Sequence, residues 1–203
     1  MCPFHDALPV RAPERQSSLA AGPRRFMQPL SPHGHQSQSP DRRAIHVAMP
    51  KQPEDASPDA WHRYFAMEFN NRAWDLSVRE RTPGEDAEML SAAHASALHW
   101  SAIGTDLNRM RAKLLLAEVH ALLGMADTAM AHANDVRRYF LDQGAPDWEI
   151  AFVHAIHAHA AAVSHDPDAH RDSYARAVAA IDAIADDEDR RIVLETFRQV
   201  PRP

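Results

Sequence analysis

Four glycines set the frame of this chain. Gly84, Gly104, Gly124 and Gly144 stand twenty residues apart, and a Ser164-His165-Asp166-Pro167 break fills the next interval. Glycine stops helices readily because it accepts the left-handed conformation. Helix-start signals sit beside these stops: Ser57-Pro58, the capping box Thr82-Pro83-Gly84-Glu85, Thr105-Asp106, Asp147 and Asp166-Pro167. Between the breaks, apolar residues recur at three- and four-residue spacing, as in Tyr174, Ala177, Val178, Ile181 and Ile184. The pattern predicts helices at 58–80, 85–103, 106–123, 126–142, 147–163, 167–184 and 187–199, and no strand.

Twenty residues hold one helix and its turn, so forty hold a pair. Positions forty apart match in kind: Leu76, Leu116 and Ile156 are apolar, Gly84, Gly124 and Ser164 are turns, and Ala93, Ala133 and Ser173 are small. The columns Leu90, Met130, His170 and Trp100, Phe140, Ala180 match poorly. Repeated helix pairs cannot bury their apolar faces alone and therefore stack. The expected fold is all-α, about three antiparallel helical hairpins stacked side by side, with the last helix (Ile192, Val193, Phe197, then Pro201) capping the end.

The first fifty residues differ in kind. Eight of the fifteen prolines lie there, with Ser/Gln/His-rich sequence around Ser31 to Pro40. Such a density of proline blocks helix and sheet, and few apolar residues offset the entropy of ordering. Residues 1–50 read as a disordered tail, 51–203 as the helical domain, and Met49 as an alternative start. The tail nets +3, from six arginines against Asp6, Glu14 and Asp41, and the domain −9. A negative domain disfavours nucleic acid and anionic membrane as partners. No apolar run reaches the roughly 20 residues of a membrane span. A single cysteine, Cys2, excludes an intrachain disulfide and a cysteine-rich zinc site. These features lead us to expect a soluble cytoplasmic protein.

Residues 110–143 carry the clearest unit: Leu116-Ala117, His120, Gly124, Ala129 and Ala133. This unit resembles a tetratricopeptide repeat, with His120 where that family usually has Tyr, Lys113 in place of a bulky aromatic, and no proline at Leu141. The resemblance implies that the first helix of each pair lines a concave groove. Groove positions would then be Arg111, Leu114, Glu118 and Ala121 in the middle unit. Shifted by forty, they become Asn71, Trp74 and Val78 before it, and Ala151, His154, Ala158 and Ala161 after it. A helical wheel independently puts Arg111 and Glu118 on one narrow polar stripe between Leu and Ala. Asp106, Arg109, Lys113 and His120 form a second stripe that reads as solvated surface.

A polar pair in apolar surroundings requires partners. In a groove, Arg111 would clamp a carboxylate and Glu118 accept a donor; otherwise the two are an internal ion pair that fixes packing. The same choice between core and ligand platform applies to Trp74. The fourteen histidines raise the question of a metal, yet no His-x-x-x-His or Glu-x-x-His occurs. His94, His154 and His157 are the alternative ligand set, and His159 reads as a hydrogen-bonded core residue. Glycine-rich phosphate loops and a nucleophile elbow are absent. The expectation is a non-catalytic module, without cofactor, that presents Asn71, Trp74, Arg111, Glu118 and His154 to a peptide or protein and self-associates through an uncapped end. The alternative is a helical enzyme binding a metal or small molecule on the same surface.

Overall fold

A computed structural model describes residues 50–203. The tail assigned to residues 1–50 and the start at Met49 therefore lie, Pro50 apart, outside the described residues. Seven helices follow in order: α1 Pro58–Ser77, α2 Pro83–Ile103, α3 Asp106–Leu122, α4 Ala126–Asp142, α5 Asp147–Val163, α6 Pro167–Ala183 and α7 Asp187–Phe197. Among the described residues there is no strand. Sequential helices pack as antiparallel hairpins, and α1, α3, α5 and α7 also pack on one another in turn. The odd helices thus form one layer, and α2, α4 and α6 lie across it. The fold is all-α, a stack of three helical hairpins closed by α7.

Burial follows this layering. Most residues of α3 and α5 are buried, because each is covered on several sides. In α4, by contrast, only Ala129, Ala133, Val136 and Phe140 are buried, a single stripe facing the odd layer. The larger core cluster runs from Ala73 and Trp74 of α1 through Phe152 and Ile156 of α5 to Val193 of α7.

The helix boundaries have local causes. Ser57 accepts from the Ala60 amide, and Thr82 and Glu85 form the reciprocal capping box. A second capping box joins Thr105 and Asn108 at the start of α3. Asp147 stands first in α5, accepting from the amides of Trp148 at 2.8 Å and Ala185 at 3.2 Å. Helix α1 stops at Ser77, short of residue 80. Arg81 Nη1 there donates to the carbonyls of Leu76 at 2.9 Å and Ser77 at 3.1 Å, which a continuing helix would need.

Two expectations about the punctuation change. Gly84 lies in the first turn of α2 and stops nothing, while Gly104 ends α2 in an extended conformation, φ −74°. Left-handed backbone occurs at Gly124 (φ 69°) and Gly144 (φ 66°), and the third such residue is His165 (φ 56°). Gly124 and His165 do the same job. Each follows the last residue of an odd helix by two, and each is followed by an amide bonded back into the helix: Met125 to His120 O, Asp166 to Ala161 O. The second and third hairpins therefore repeat after forty-one residues. With that register the poorly matching columns become Met89, Ala129, His170 and Trp100, Phe140, Ile181, all buried.

Candidate functional site

The five residues assigned to a groove are all buried, none more than 7 % exposed. They divide among three surroundings. Trp74 reaches across to Phe152 of α5, ring centroids 5.6 Å apart, and is part of the core. Asn71 accepts at 3.5 Å from its neighbour Asn70, and its own Nδ2 lacks a partner. Arg111 and Glu118 do not bond one another; each is bonded to a residue of α5.

Arg111 Nε donates to Glu149 Oε1 at 2.7 Å and Nη2 to Oε2 at 3.4 Å, a side-on pair buried at both ends. The guanidinium also lies 5.4 Å from the Trp148 ring centroid. Both partners of this pair line a cleft of about 500 Å3. Its apolar lining includes Leu107, Phe140, Ala145 and Pro146, and its polar lining Thr105, Asn108, Tyr139 and Gln143. The start of α3, the end of α4 and the start of α5 meet there. The floor is consequently charge-balanced, with a cation and an anion already matched.

Glu118 is fully buried and faces His159, Nδ1 to Oε2 3.4 Å, while its Oε1 has no partner. Burial pulls the His159 pKa down. The charge and hydrogen bond of Glu118 pull it up by more, and the net shift is upward.

His154 faces neither pair. With His157 it lies where α5 meets α4 and α6. His157 accepts or donates at Nδ1 with Ser173 Oγ (2.8 Å) and at Nε2 with Asn134 Oδ1 (3.1 Å). Nε2 also lies 3.5 Å from Nη1 of Arg137. Burial first, then the nearby charge of Arg137, lowers the His157 pKa to about 4.

His94, the third member of the alternative metal set, is elsewhere. Its ring meets that of His120 at 5.3 Å, and His120 in turn meets His132 at 5.5 Å, a row across α2, α3 and α4. His120, expected on the solvated stripe, is buried under this row and hydrogen-bonds the Leu116 carbonyl at 2.7 Å. Asp106 and Arg109 are exposed as expected. Among the described residues no group of three or more His, Cys, Asp or Glu is arranged to hold a metal ion. No helix among them is long and apolar enough to cross a membrane.

No family model, curated protein or solved structure matches the chain. What the molecule offers chemically must therefore be read from its own geometry. Glu149, Trp148, Tyr139 and Gln143 escaped the sequence reading of the site, which carried one unit's groove positions forty residues to either side. A signal was available. Arg111 and Glu149, and Glu118 and His159, are complementary residues about one repeat apart on successive first helices.

Proposed function

We propose that this chain is a non-catalytic, tetratricopeptide-like binding module of the cytoplasm, which takes a segment of another protein into the cleft beside Arg111. One observation carries the reading: an open cleft of about 500 Å3 with apolar walls and a floor whose charges cancel. That volume falls in the range of ligand-binding pockets. Because Glu149 already balances Arg111, a carboxylate entering the cleft would have to compete with a buried partner. The suited ligand is an uncharged apolar or aromatic side chain, with backbone groups reaching Thr105, Tyr139 and Gln143. The stacked hairpins hold these walls in fixed relation, which lowers the entropic cost of binding.

The test is to pan the full chain against linear peptides displayed on phage, then repeat with Ala145→Arg. Ala145 is a partly exposed loop residue at the edge of the core, so the larger side chain obstructs the cleft while its charged end reaches solvent. Selected peptides should share an apolar or aromatic anchor and bind the variant about tenfold or more weakly, at unchanged melting temperature. Failure to select any peptide with an apolar or aromatic anchor, or anchored peptides that bind both proteins equally, would overturn the reading.

A further inference from the structure

The valley between α4 and α6 contains groups that the cleft beside Arg111 does not use. Its floor is α5, where His154 and His157 sit one turn apart. Arg137 approaches from α4 and Arg176 from α6, and both turn toward Asp172 Oδ2, at 3.9 Å and 2.8 Å. His157 is bonded by Ser173 and Asn134, and Arg137 Nη1 lies 3.5 Å from its Nε2. His154 differs: it is buried to about the same degree, and its Nδ1 has no partner.

That unmet nitrogen decides how His154 presents itself. Leaving a buried N–H without an acceptor is costly. The neutral ring therefore keeps its lone pair on the buried Nδ1 and its proton on Nε2. Burial lowers the His154 pKa first, and the charges of Arg137 and Arg176 lower it further, so the ring is neutral near pH 7. Two guanidiniums and one carboxylate act on the neutral His154 ring, a local net charge of about +1, while Asp166 acts on His157. Local positive charge is unusual in a domain that nets −9.

We propose that this valley is a second binding site, for a carboxylate side chain of an acidic peptide. Arg176 supplies charge through the guanidinium N–H groups that Asp172 leaves unused, Arg137 through those that Asp172 and His157 leave unused, and His154 Nε2–H supplies a neutral donor. Asp172 holds the arginines in place and competes with the ligand. Forked donors from opposite walls suit a planar carboxylate. A net charge of +1 matches a monoanion, and the surrounding negative field disfavours a phosphate dianion.

The experiment is nitrogen-15 NMR of the histidine rings in the full chain, titrated with acetyl-Ala-Glu-Ala-amide, its Gln counterpart and inorganic phosphate. The Glu peptide should shift the His154 ring nitrogens along a saturating curve, and the Gln peptide should not. Arg137→Gln and Arg176→Gln should each weaken that binding. Asp172→Asn should tighten it about two- to fivefold by removing an exposed competitor, an effect that a purely structural ion-pair cluster would not show. The proposal is overturned if no saturable shift appears, if the Gln peptide is equivalent, or if the arginine variants bind unchanged. Tighter binding of phosphate than of the Glu peptide overturns the assignment to a carboxylate.

Discussion

Replacing Glu149 by glutamine leaves the Arg111 guanidinium without its counter-charge at a site where little water reaches it. The side chains of this pair are 7 % and 1 % exposed. Breaking a buried ion pair by removing one partner costs about 3–5 kcal/mol, because the remaining charge is uncompensated. Two features of the structure favour the lower end. Trp148 keeps its ring beside the cation, and the cleft of about 500 Å3 that Arg111 lines gives room for waters to approach it. We therefore expect a loss of about 3 kcal/mol, or roughly 6–12 °C in melting temperature for a domain of this size. Replacing both partners by methionine removes the charges and keeps apolar volume, and should return stability to within about 1 kcal/mol of the parent. Urea unfolding followed by circular dichroism measures all three proteins. A loss below about 1 kcal/mol for Glu149→Gln would mean that solvent already screens the pair. A double variant as unstable as the single would mean that shape, and not charge, holds α3 to α5.

Other perturbations probe separate parts of the fold. Trp74→Ala should cost about 3–5 kcal/mol in urea unfolding, while Trp74→Phe should cost much less, because the buried Nε1 has no hydrogen-bond partner to lose. His165→Gly should raise the melting temperature by about 2–4 °C, since glycine adopts the left-handed backbone at φ 56° without strain. His157 has its pKa lowered to about 4, so its neutral form contributes stability above the unfolded value near 6.5, and that contribution is lost as pH falls toward 4. Comparing urea midpoints at pH 7 and pH 5, His157→Asn should remove about 2 kcal/mol of the parent's pH dependence. An unchanged difference would refute the buried neutral histidine. His159 runs the other way: its raised pKa places the stabilising Glu118 contact below about pH 6.5, lost as pH rises through the folded value, so His159→Gln should flatten stability on the alkaline side.

The amino-acid sequence by itself determined the local structure and its periodicity. Helix starts are written in short-range chemistry, such as Ser57, the Thr82 and Glu85 box, and Asp166-Pro167, and these form where expected. The pairs Ala93, Ala133 and Leu76, Leu116 are buried, because stacked helix pairs must put matching faces together, and Ser173 and Ile156 are buried one residue short of the forty-one-residue register. Even the one-residue slip between repeats had a sequence trace, since His165 does for α5 what Gly124 does for α3.

Partnership was decided only by the tertiary structure. A helical wheel places Arg111 and Glu118 on one stripe but cannot say that α5 lies against that stripe with Glu149 and His159 facing it. It cannot say that His120 is covered by His94 and His132, nor that His154 faces α4 and α6 while Trp74 reaches Phe152. The reason is physical. Periodicity along one helix fixes which residues share a face, whereas the offset and crossing of neighbouring helices fix which faces meet. Those depend on how side chains of different size interdigitate across several helices at once. The cleft beside Arg111 and the valley around His154 are products of that packing, each built from three successive helices.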